Sequence, residues 1–241
     1  MVEKERRNLR ITGSGDSRGG LYHKVTIIGE GGIHDDLDCL VFKTRGTSRV
    51  EGHIKTEAFR VTGQSWVKGL EAEKLRIYGK VDFDGHVLCR DVKIRGEAEI
   101  SGGLTGETID LKGNVLVKEN VEAETFHAKG GFSIDGLLNA GNIEITLKFS
   151  SSVKEIGGGK VRVRRGGLPF EWTPKAFHTM KTATLSVDMI EGDEIDLENT
   201  SAKVVRGKNV RIGPGCSVDL VEYQDEFKQD PEAKVDENRK I

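Results

Sequence analysis

Residues 42–67 read FKTRGTSRVEGHIKTEAFRVTGQSWV, and this stretch decides the fold. Phe42 and Thr44 stand four and two places before Gly46; Phe59 and Val61 stand in the same places before Gly63, 17 residues later. Val50 and Val67 follow their glycines by four, and Ile54 and Thr56 follow Gly46 by eight and ten. Residues two apart share one face of a strand. One period therefore holds three short inward-facing pairs, two before the glycine, two after it and two further on. Between the pairs the chain turns corners, where glycine accepts backbone angles that other residues resist.

The ladder extends in both directions. Glycines recur at Gly13, Gly29, Gly46, Gly63, Gly79, Gly96, Gly113 and Gly130, always 16 or 17 residues apart. Leu9, Val25, Leu75, Val92, Ile109 and Phe126 occupy the place four before. Ile11, Ile27, Ile77, Ile94, Leu111 and Ala128 occupy the place two before. A second corner, six after the first, is again glycine at Gly52, Gly69, Gly85, Gly102 and Gly136. A fixed period of this length is the signature of a solenoid, and the inward alternation excludes a core-facing helix, which needs a 3.6-residue period. The expectation is an all-β, parallel, triangular β-helix with 16–17-residue turns. Right-handed crossovers dominate parallel β structure, and this period favours the right-handed form.

The main coil is expected over 9–165, after a short N-terminal tail at 1–8. Gly166 to Ala183 breaks the pattern with Pro169, Pro174, Phe170, Trp172 and Phe177 and is expected to leave the coil; its aromatics are expected to pack back on it. The period returns at Val187, Val204 and Val221, predicting further turns over 184–223. The final segment, 224–241, is polar and charged and is expected to be a disordered tail.

Composition narrows the function classes. A formal net charge of −2 gives the whole molecule no pull toward polyanions, so nucleic acid is not an expected partner and electrostatic function must come from charge distribution. Met1–Leu9 lacks an apolar signal segment and no run approaches a membrane span, so a cytoplasmic location is expected. Cys39 and Cys89 fall in the column ten after the glycine, beside Thr56, Ala123 and Ala140. They lie three turns apart, roughly 14 Å by strand spacing, which excludes a disulfide between them and marks them as small core residues.

Catalytic motifs are sparse. His53 and His86 share an outward column but lie roughly 10 Å apart, too far to hold one metal ion. Gly157-Gly158-Gly159-Lys160 lacks the spacing and hydroxyl residue of a P-loop and reads as a corner. Val210–Cys216 resembles one hexapeptide of the acyltransferase β-helices. No catalytic residue, metal ligand or cofactor is expected. The competing reading is an acyltransferase-like or polysaccharide-acting enzyme, using acidic residues such as Glu97 and Glu99 on the wall after the glycine corner.

Outward positions are more informative. Lys43, Arg60, Arg76 and Lys93 stand three before their glycines; Arg45, Arg95, Lys112 and Lys129 stand one before. These residues are expected to make one wall basic, suited to anionic lipid headgroups or to the acidic wall of a neighbouring filament.

The glycine-cornered turns, Phe59-Arg-Val-Thr-Gly63 and Val92-Lys-Ile-Arg-Gly96 with their following apolar steps, resemble the bactofilins, bacterial polymer-forming cytoskeletal proteins. The resemblance covers roughly Leu9 to Arg165. It implies a right-handed β-helix that polymerises end to end without nucleotide, acting as a scaffold in cell shape, cell-wall placement or motility, often at the inner membrane face. The partners so implied are other copies of the chain, an anionic membrane surface and cell-envelope proteins. Bactofilins usually have shorter coils between flexible tails, and the membrane-targeting segment of some members is absent from Met1–Leu9. The added C-terminal turns are expected to restrict assembly if they cover one end. Leu9, Ile11 and Leu21 at one end, and Val218 and Leu220 at the other, are the expected polymerisation contacts, because a β-helix end exposes unpaired strand edges.

Overall fold

The computed structural model describes residues 6–166 and 183–241. The chain is all-β: a parallel β-solenoid with turns of about 17 residues. It divides into two compact units, 1–119 and 120–241. The first contains β1 (Arg7–Ser17), β2 (Gly20–Ile33), β3 (Leu37–Phe83), β4 (Val87–Ile100) and β5 (Leu104–Val117). The second contains β6 (Val121–Leu147), β7 (Ser151–Arg165), β8 (Leu185–Leu197), β9 (Thr200–Ile212), β10 (Ser217–Gln229) and β11 (Lys234–Lys240). Expected contacts of Phe170, Trp172 and Phe177 lie outside the described residues.

In the first unit the register follows the glycine ladder. Gly13 pairs with Gly29, Gly29 with Gly46, Gly79 with Gly96 and Gly96 with Gly113. Gly63 shows why this column needs glycine: its φ is +121°, and a Cβ there would stand 2.2 Å from the Gly46 carbonyl oxygen. The carbonyl of one turn occupies the space that a side chain on the next would need.

The three inward pairs are all buried in the turn around Gly46: Phe42 with Thr44, Ser48 with Val50, Ile54 with Thr56. Phe42 and Phe59 stack in parallel at 4.9 Å between centroids, and Phe83 meets Phe59 at 6.1 Å. Buried hydroxyls are satisfied along the coil, which burial demands. The Thr44 hydroxyl donates to Ser48 at 3.0 Å, Ser48 and Ser65 share a bond of 2.8 Å, and Thr56 donates to the Leu40 carbonyl at 3.1 Å. Leu70 fills the inward place in the turn that is one residue short, at 3% exposure.

In the second unit the glycine column is not maintained, yet parallel pairing persists. Ile143 pairs with Val161, Val161 with Ile195, and Ile195 with Val210. Two boundaries differ from expectation. Arg7 and Asn8 already belong to β1, so the N-terminal tail is shorter than 1–8. The segment 224–241 is no disordered tail: β10 runs on to Gln229 and β11 pairs in parallel with β10, from Ser217↔Lys234 to Tyr223↔Lys240. Backbone pairing orders this stretch although its side chains bury little.

Candidate assembly edges and charged walls

The outer edge of β1 carries no partner strand among the described residues. Leu9 is half-buried on this strand and Ile11 is 8% exposed. Leu21 stands apart from them. In β2 it is Gly20 that pairs with Leu37, while Leu21 pairs with Asp38. That register turns Leu21 outward, 42% exposed, into a groove of about 640 Å³ on the first unit that also involves Ile54, Leu70 and Leu88. Its expected place at a stacking end is corrected to a lateral one.

Val218 and Leu220 are corrected too. They are not a free edge, because β11 lies on β10: Val218 faces Val235 and Leu220 faces Glu237. Val218 is 1% exposed. Arg239 ties the cap down, its Nε donating to the Glu222 carboxylate at 2.9 Å. The other Glu222 oxygen accepts from Arg206 Nε at 2.6 Å. Both arginines hold the Glu222 carboxyl below its ordinary range.

On the first unit, Thr26 pairs with Lys43, Arg76 with Lys93 and Arg95 with Lys112, so the cations do form columns. Yet two of them are spent in ion pairs. Arg76 donates to the Asp91 carboxylate at 2.5 Å and to the Leu75 and Asp91 carbonyls; Arg95 does the same with Asp110 at 2.7 Å and with the Ile94 and Asp110 carbonyls. Arg76 lowers the pKa of Asp91. Both pairs span 15 residues, one turn less two, which is a diagonal cross-strand contact. Sequence reasoning missed Asp91, whose signal was this repeated spacing. Arg164 repeats the arrangement with Asp196 in the second unit. The side chains of Lys43, Arg45, Arg60, Lys93 and Lys112 form no ion pair among the described residues, so the basic character of the wall rests on them. Lys129 lies in the second unit, on β6, where it is exposed. Nearby strands there mix signs: Lys160 pairs with Glu194 at 3.0 Å, and Arg211 reaches Asp196 at 3.7 Å.

The histidines make separate local contacts. His34 Nδ1 lies 3.0 Å from Glu51, which raises the His34 pKa. The His53 backbone N–H donates to Asp36 at 2.8 Å, and His86 Nδ1 accepts from the Gly103 N–H at 3.0 Å. These corner side chains cap the backbone of a neighbouring turn. Among the described residues no cluster of His, Cys, Asp or Glu is arranged to hold a metal ion. Glu97 and Glu99 pair in register with Lys80 and Asp82 and are exposed. Gly157–Lys160 continues β7 and borders a glycine-lined groove of about 610 Å³ on the second unit. Cys39 and Cys89 are buried and free; burial pushes their thiols up to about 11 and about 12.

Comparison with known proteins places this molecule among full-length relatives. No family model matches the chain, and no solved structure matches it. It is 41% identical to the uncharacterized protein YhbF of Bacillus subtilis (strain 168) over 236 residues, covering 97% of both chains. It is 37% identical to the uncharacterized protein YhbE of the same organism over 245 residues, covering 100% of this chain and 99% of that protein. Identity at this level over the whole length preserves the repeat and its corners together, and the chain belongs to the family of YhbF and YhbE.

Proposed function

We propose that the protein is a structural, nucleotide-independent scaffold of bactofilin type, assembling from copies of itself by stacking of β-solenoid edges. The observation that carries this reading is the outer edge of β1, which presents unpaired backbone donors and acceptors beside the half-buried Leu9. Such an edge is a template for another strand unless it is covered. The glycine-cornered turns ending at Gly63 and Gly96 support the same reading through their resemblance to the bactofilins. Sedimentation and electron microscopy of the purified full chain, without nucleotide, test it. Filaments or a concentration-dependent fast-sedimenting species are expected. A strict monomer at every concentration and salt would overturn the reading.

The site of action proposed is cytoplasmic, at an anionic membrane surface. Lys43, Arg60 and Lys93 support it, sharing a repeat position and free of ion pairs. Each cation near an anionic surface contributes about 1 kcal/mol, so reversing all three to glutamate should weaken binding to anionic liposomes by at least about 100-fold. Arg76 is left intact, because its charge is committed to Asp91. Undiminished pelleting of the reversed variant with liposomes would remove the membrane role. Loss of bundles with retention of single filaments would assign the wall to lateral contacts instead.

A further inference from the structure

We propose that β11 is a displaceable cap over a strand-docking edge on β10, and that this edge accepts the basic strand β1 of a second copy. The inference rests on the assembly reading above and adds its regulation.

The cap is small. It has 7 residues, KVDENRK, of which only Val235 is half-buried. It spans Ser217–Tyr223 and leaves the outer edge of Asp225–Gln229 unpaired among the described residues. There Phe227 stays half-buried, its ring stacked on Tyr223 at 5.5 Å. An incoming strand thus finds an open stretch of edge beside the covered one, from which pairing can spread as β11 peels away.

What β11 covers has the character of a core rather than of a surface. Val218 is 1% exposed, Val221 0% and Cys216 3%. Glu222 is decisive about the occupant. Its side chain is 5% exposed and lies between Arg206 of β9, which stays, and Arg239 of the cap, which leaves. A buried carboxylate that loses a partner is costly, so a replacing strand must bring a cation. The rest of β10 asks for the same sign: Asp219, Asp225 and Glu226 are exposed, against Lys228 alone.

β1 meets these requirements. It carries Arg7 and Arg10 without ion pairs, against one acid, Asp16. Its Leu9 and Ile11 supply the inward alternation of every other turn, and its own outer edge is open. Pairing two copies of β10 would instead bring like charges together. The contact is therefore heterologous, with different surfaces on the two copies, and β11 competes for it from within the chain, Arg239 standing where the arginine of a second copy would stand.

The test compares the full chain with two variants, one ending at Ala233 and one full-length with Arg239→Gln, by sedimentation velocity over a range of concentrations. Circular dichroism checks that each is folded. Both variants should assemble at concentrations at least about tenfold lower than the full chain, the truncation more strongly. Adding Arg7→Glu and Arg10→Glu to the Arg239→Gln chain should abolish the gain. If the full chain assembles and Arg239→Gln leaves its threshold unchanged or raises it, the cap is refuted while the assembly reading stands. If the gain survives reversal of Arg7 and Arg10, β1 is not the occupant. If every form remains monomeric, the assembly reading falls and the cap with it.

Discussion

Replacing Gly63 by alanine tests the stacking of turns at its tightest point. The new Cβ would lie 2.2 Å from the Gly46 carbonyl oxygen and 3.0 Å from its carbon, both backbone atoms that no rotamer change can move. Relief requires the two turns to separate locally by roughly 1 Å, stretching the parallel ladder. A side chain at φ +121° adds strain of about 1–3 kcal/mol. Overpacking against fixed neighbours adds about 1–3 kcal/mol more, so the expected loss is about 2–6 kcal/mol. The control is Gly15→Ala in β1, whose Cβ would meet only the Ile11 Cγ2 at 3.6 Å, an ordinary contact. That change should be neutral or stabilise by up to about 1 kcal/mol. Urea unfolding followed by far-ultraviolet circular dichroism reads both, with a midpoint lowered by about 1–2 M for Gly63→Ala. A Gly63→Ala protein within about 0.5 kcal/mol of the parent would refute the argument, as would equal losses for the two variants.

Phe59→Ala, which removes a ring at 0% exposure between Phe42 and Phe83, should cost about 3–5 kcal/mol in the same assay. His34 should titrate above the ordinary histidine value of about 6.5, and Glu51→Gln should bring it down; NMR of the ring protons measures both. Because the folded pKa is the raised one, the His34–Glu51 contact stabilises fully below the unfolded value and is lost as pH rises through the folded value. Cys39 and Cys89 should resist a thiol reagent at pH 8 in the folded protein and react in denaturant, since burial disfavours the thiolate on which reaction depends. Fast modification of either in the native state would contradict their core placement.

Much of the fold was legible before any coordinates, because its determinants are local and repeated. A glycine where φ must be positive, an apolar pair on either side and a constant period together specify one turn, and stacking identical turns specifies the next. Phe42, Phe59, Val67, Ile94 and Cys89 are buried where the columns place them. What lay beyond the sequence depends on which residues meet across turns. Leu21 faces outward because β2 shifts its register by one residue, and a one-residue slip changes the face of every side chain. Arg76 and Arg95 read as free surface charge until Asp91 and Asp110 are seen reaching them from the adjoining turn. The charged C-terminal segment looks disordered by composition, since it buries almost nothing apolar. Its order comes from backbone hydrogen bonds to β10 and from one arginine meeting Glu222, contacts that composition does not encode. Periodicity within the chain therefore determined the solenoid, while long-range pairing between turns decided which edges are open, which are closed and which charges remain free.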